Sequence, residues 1–183
     1  MYAQVVTIGT GVSSQNSAPI ANYYNYSLAE MIFTADEIAA GNPSVNTILS
    51  IGFECTSDVS KDYGVTVYMK NVDVTSFSAA SDYVALTDED AVFTGTVSPT
   101  SGWTTIELPS PFTYDDTKNL LIAVNKTSGG YSVSTAIWKY TTATGMMLYA
   151  QNDNSVYNAA SASLSLNSNR PNIQINFSAP PSC

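Results

Sequence analysis

Residues 64–70 read GVTVYMK, with Val65, Val67 and Met69 on one side of the chain and Thr66, Tyr68 and Lys70 on the other. A strict period of two marks a half-buried β-strand, because successive side chains leave opposite faces. The same pattern recurs outward along the chain. Residues 47–54 set Leu49, Ile51 and Phe53 against Ile48, Ser50 and Glu54. Residues 104–108 set Ile106 and Leu108 against Thr105 and Glu107, and residues 172–177 set Ile173, Ile175 and Phe177 against Gln174 and Asn176. The run NLLIAV at 119–124 does not alternate, which predicts a central strand covered on both faces.

Turn residues separate these segments, as in Gly41-Asn42-Pro43, 98–102 and 127–130. One helix signal stands out: Thr34 followed three residues later by Glu37 is a capping box, and Gly41 ends the helix within two turns. A second short turn is expected at 76–81. The reading is an all-β fold, an antiparallel jelly-roll β-sandwich with one or two short helical turns. Residues 1–178 form a single domain, and 179–183 (APPSC) begin an inter-domain linker.

Composition narrows the function. The 183 residues carry 15 Asp and Glu, 6 Lys and Arg, no histidine, and a net charge of −9. Without histidine there is no Ser-His-Asp or Cys-His nucleophile system and no His-bearing zinc site. The cation deficit argues against nucleic acid and against an anionic membrane surface. No apolar run is long enough to cross a bilayer as a helix. Met1-Tyr2-Ala3-Gln4 reads either as the tail of a leader cleaved after Ala3 or as ordinary terminal residues. Cys55 and Cys183 could pair across a loop of over a hundred residues, or Cys183 could stand at the start of a hinge.

Three constellations could carry chemistry. Asp88-Glu89-Asp90 and Asp115-Asp116 suit solvated turns, a calcium site, or a pair of glycosidase carboxylates. Aromatic residues are the second, with 12 Tyr and 2 Trp. Strand alternation from Tyr131 to Tyr140 puts Val133, Thr135 and Ile137 on one face and Trp138 and Tyr140 on the other. With the first set in the core, Trp138 and Tyr140 form an aromatic platform for pyranose rings, with Tyr149 and Tyr157 as a wall. The alternative is a core Trp138 whose phase a bulge has shifted. Trp103 opens a strand and reads as a plug at the end of the sandwich, and Tyr23-Tyr24-Asn25-Tyr26 reads as a rim or as packing under the N-terminal loop. Asn25-Tyr26-Ser27 and Asn125-Lys126-Thr127 match the glycosylation pattern, the third feature.

Several segments together resemble a module of secreted and surface proteins of Bacteroidetes-type bacteria. They are the opening IGTGVSSQNSAPIANYYNYSLAEMIFTADEI, then VTVYMKNVDVTSF, VFTGTVSPTSGWTTIELPSPFTY, NLLIAV and the closing RPNIQINFS. The resemblance implies a jelly-roll sandwich in the style of cleaved-adhesin and carbohydrate-binding modules, followed by fibronectin-type-III-like domains. It implies no catalytic residues. The expectation is a non-catalytic, secreted or cell-surface carbohydrate-binding module of a larger protein, a monomer whose partners are a polysaccharide or glycan and the neighbouring domains. A structural calcium ion is the candidate cofactor, with ligands that the residues do not identify. The alternative is an adhesin or spacer domain making protein contacts.

Overall fold

The apolar run at 119–124 becomes the spine of a sheet. In the computed structural model, which describes residues 4–132 and 134–181, the chain forms β1 (Gln4–Ile8), β2 (Ser13–Gln15), β3 (Tyr26–Phe33), α1 (Ala35–Ala40), β4 (Thr47–Cys55), β5 (Tyr63–Val72), β6 (Ala91–Val97), β7 (Gly102–Thr113), β8 (Asn119–Ser128), β9 (Trp138–Thr142), β10 (Met147–Asn152), β11 (Ser165–Leu166), β12 (Asn169–Pro171) and β13 (Ile173–Phe177). One sheet has six strands in the order β11-β10-β3-β8-β5-β6. The other has seven, ordered β1-β13-β4-β9-β12, with β7 also on β4 and β2 also on β9. All the pairings are antiparallel. The architecture is an all-β sandwich.

Its core lies between the sheets. Val65, Val67 and Met69 of β5 and Leu120, Ile122 and Val124 of β8 meet Ile51 and Phe53 of β4 and Ile173, Ile175 and Phe177 of β13. The reverse face of the six-stranded sheet is covered too. There Leu28, Ile32, Tyr68, Leu121 and Leu148 pack with Phe77, Leu86 and Leu164 from the long connections. This second layer explains why β8 is apolar at every position from 120 to 124. Among the described residues, no helix is long and apolar enough to cross a membrane.

Local signals hold with two corrections. Thr34 caps α1 as expected: its hydroxyl accepts from Glu37 N and the Glu37 carboxylate accepts from Thr34 N. The turn expected at 76–81 is a 3-10 turn at Ala80–Asp82, and a further one forms at Asp88–Asp90. The phase of β4 differs from simple alternation at its start. A bulge between Ile48 and Ser50 turns Ile48 into the core, while Leu49 stays half-buried. The alternation read from Tyr131 onward is no strand: β9 begins only at Trp138, and Val133 lies outside the described residues.

Glu30 is a carboxylate buried in the second layer, on the same face of β3 as Leu28 and Ile32. Its Oε2 accepts from Val84 N at 2.9 Å, and its Oε1 has no partner. Burial, only partly offset by the Val84 bond, raises its pKa to about 7. The folded chain therefore holds a proton between pH 4.5 and 7 that the unfolded chain releases. Stability from this group is full below pH 4.5 and is lost as pH rises through about 7, by roughly 3 kcal/mol at most. Urea unfolding at pH 5 and pH 8 checks this. Glu30→Gln should flatten the difference and be the more stable chain at pH 8, whereas identical pH profiles for the two proteins would refute it.

Candidate functional site

Alternation in β8 carries past Val124 and puts Lys126 on the face that points between the sheets. Its side chain is fully buried. The ammonium donates to three carbonyls, Ala21 O at 2.7 Å, Tyr24 O at 2.6 Å and Gly130 O at 2.6 Å. It also sits 4.2 Å from the centroid of the Tyr63 ring. A lysine ammonium has three donors, and here all three are used. Burial, then the nearby positive charge of Lys61, pulls its pKa down to about 8, with Asp153 acting in the opposite sense. It remains charged at neutral pH.

The three carbonyls belong to two loops, residues 16–25 before β3 and residues 129–137 after β8. The second loop turns back through Gly129 and Gly130, at φ +100° and +59°. A Cβ on Gly129 would stand 2.5 Å from Asp62 O, so both conformation and space require glycine there. Further bonds tie the loops together. Ser132 N donates to Asn22 O at 2.8 Å, and Asn22 Nδ2 to Thr135 O at 2.8 Å. The Tyr63 hydroxyl bonds Ser132 Oγ, and Lys61 Nζ donates to Tyr131 O at 2.8 Å.

This frame presents a tyrosine cluster at one end of the sandwich. Tyr23 stands edge-on to Tyr24, with centroids 5.8 Å apart, and to Tyr131 at 6.3 Å. Tyr23 is 48% exposed and Tyr131 is 58% exposed. With Asp153 the three rings line a concavity of about 330 Å³. Asp153 Oδ1 accepts from Asn25 N at 3.0 Å, and its carbonyl accepts from Asn25 Nδ2. Tyr131 also lines a second cleft of about 490 Å³, with Asp58, Lys61, Ser132, Thr135 and Ile137 among others. Exposed ring faces beside a carboxylate and hydroxyls suit a ligand with both C–H faces and hydroxyl groups.

The four aromatic residues nominated from the sequence are not brought together. Trp138 is fully buried in the inter-sheet core, and its Nε1 donates to Ile20 O at 2.8 Å. It offers no ring face to a ligand. Strand phase misplaced it, because residues 134–137 lie outside any strand and Ile137 and Trp138 are both buried. Tyr140 is half-buried on β9, opposite Ser13 and Pro171 in the seven-stranded sheet. Tyr149 belongs to the six-stranded sheet and packs on the core. Tyr157 packs on the second layer. Trp103 is no end plug: it lies half-buried on the outward face of β7.

The acidic clusters form turns. Asp90 accepts from Thr87 N and pairs with Lys70 at 3.1 Å, and Asp115 accepts from Thr117. Among the described residues, no group of three or more Asp, Glu, Cys or His gathers in one place. Asn125 is buried and donates to Tyr157 O, leaving it closed to glycosylation in the fold. Cys55 is buried with its thiol on Ser57 O, while Met1 to Ala3 and Cys183 lie outside the described residues.

Compared with protein-family models, curated proteins and solved structures, the chain matches none of them.

Lys126→Met would keep the length of the side chain and leave three carbonyls without their donor. The expected loss is about 3 kcal/mol, or roughly 10 °C in melting temperature for a chain of this size. Limited proteolysis should then cut within 16–25 or 129–137. A variant as stable and as resistant as the parent would show that the ammonium does not hold these loops.

Proposed function

We propose that the chain is a non-catalytic, extracellular carbohydrate-binding module of a larger secreted or cell-surface protein, with its glycan contacts at Tyr23, Tyr24 and Tyr131. The observation that carries this reading is the gathering of three tyrosines at a loop end, two of them about half exposed, on a frame held from beneath by Lys126. Exposed aromatic rings are costly to solvate and are retained where they meet a partner. A neutral, polyhydroxylated partner suits a chain of charge −9 better than an anionic one. Asp153 is the only carboxylate lining the tyrosine concavity among the described residues, which supports binding over a two-carboxylate hydrolysis. The jelly-roll connectivity and the bacterial surface origin implied by the resemblance, and separately a monomeric state, belong to the same proposal.

The burial of Trp138 favours a second reading, an adhesin or spacer domain whose aromatic residues serve packing. A glycan array followed by calorimetry separates the two. On the first reading the protein binds at least one glycan with a dissociation constant of about 0.01–1 mM, and Tyr131→Ala or Tyr23→Ala weakens it roughly tenfold or more. Binding unchanged in both variants would remove the tyrosine site. No binding across plant and host polysaccharides would favour the spacer.

A further inference from the structure

The seven-stranded sheet has an outward face that no connection covers in the way the second layer covers its partner. In β7, Ile106 packs into the core and Thr104 is buried, so Trp103, Thr105 and Glu107 point outward. In β4, Ile51 and Phe53 point inward, so Ser50, Gly52 and Glu54 share that outward face. Register then sets the neighbours: Trp103 lies opposite Glu54, and Gly52 lies between Thr105 on β7 and Gln174 on β13.

Three features of this face point to a ligand. The first is the indole. Trp103 is half-buried, whereas Trp138 is enclosed, and a Cβ built on Gly52 would meet Trp103 Cε3 at 3.8 Å. The ring therefore rests beside a strand position that carries no side chain. Glycine inside a strand often marks a place where another group approaches closely, and here that group is the indole, which Gly52 lets lie flat on the sheet. The second is the set of polar groups around the ring. Among the described residues, the Gln174 amide, the Thr105 hydroxyl and the Glu107 carboxylate make no hydrogen bond through their side chains. The third is charge. Glu54 is fully engaged, with Lys139 Nζ at 2.7 Å and Asn172 Nδ2 at 2.8 Å, which leaves Glu107 as the uncompensated charge.

We infer that Trp103 is the platform of a second carbohydrate surface, on the outer face of β4, β7 and β13, that takes the flat side of an extended, uncharged polysaccharide chain. The indole stacks on the C–H face of a sugar ring, and Gln174 and Thr105 meet its hydroxyls. The indole lies against Gly52, so the platform sits low on the sheet. A polyanion would meet Glu107, and the polar surround leaves little apolar area for a protein partner. The inference rests on the preceding reading for the class of ligand alone, since it involves none of the tyrosines.

The two tryptophans make the test direct. Trp103 is half-buried and Trp138 fully buried, so acrylamide should quench the first and spare the second, and quenching then reports the platform in the unmodified protein. The probes are β-1,4-linked oligosaccharides of glucose, xylose and mannose, with polygalacturonate as the charged comparison. The expected result is that at least one neutral probe at up to about 10 mM roughly halves the quenching and shifts the emission, at the weak affinity usual for one such site. The effect should persist in Tyr131→Ala, vanish in Trp103→Ala and weaken severalfold in Gln174→Ala, which leaves the ring in place. Loss of the signal in Tyr131→Ala, with Trp103 still accessible, would mean that the tyrosine site alone binds. No protection by any neutral probe, protection by polygalacturonate only, or protection that grows with protein concentration without sugar would each overturn the inference.

Discussion

Everything at the tyrosine end depends on one buried ammonium. Removing a charge from water costs several kcal/mol unless the interior replaces the lost hydration. Here three carbonyls and the Tyr63 ring replace it, and the carbonyls come from two loops that share no strand ladder with each other. The charge is tolerated only where the loops converge, and the loops converge because the charge needs their carbonyls. In that sense Lys126 does what a bound cation does in loops rich in carbonyl oxygens. Tyr23, Tyr24 and Tyr131 are attached to the peptide units so held, or directly beside them.

The sandwich leaves few places for a ligand. One face of the six-stranded sheet is taken by the core and the other by the layer around Phe77, Leu86 and Leu164. Four of its strands are therefore apolar on both sides for part of their length, and Glu30 is caught there without full compensation. The seven-stranded sheet has exposed Thr105 and Glu107 on its outer face, around buried Ser50 and Gly52. The loop end and this outer face each carry an aromatic side chain that the core does not use.

Much of the fold was legible in the sequence because periodicity maps directly onto burial. Residues 173–177 behave as their alternation says, residues 64–70 keep their phase although Tyr68 is buried in the second layer, and the unbroken run at 120–124 is covered on both faces. Failures came where a ladder was interrupted. The bulge at Ile48 reversed the phase of two residues, and the apparent alternation from Tyr131 starts ahead of β9, which begins only at Trp138. The site was less legible for the same reason, since Trp138 was placed by a phase that did not exist. Yet two signals were present. Extending the phase of Leu120, Ile122 and Val124 puts Lys126 inside, a lone cation on an apolar stripe. Extending that of Ile106 backwards puts Trp103 outside, with Thr105 and Glu107. What no periodicity could reveal is that residues 21, 24 and 130 meet at one ammonium, because that contact depends on the conformation of two loops.

The central claim is that the loop end, already assembled in the free protein, is where sugar binds. The most direct measurement is nuclear magnetic resonance of the chain with isotope-labelled tyrosine rings, titrated with the glycan that an array selects. The account predicts that the ring signals of Tyr23, Tyr24 and Tyr131 move together and saturate with one affinity, while those of buried Tyr63 and Tyr114 change little. Movement confined to Tyr140, Tyr149 and Tyr157, with the other three unchanged, would contradict it.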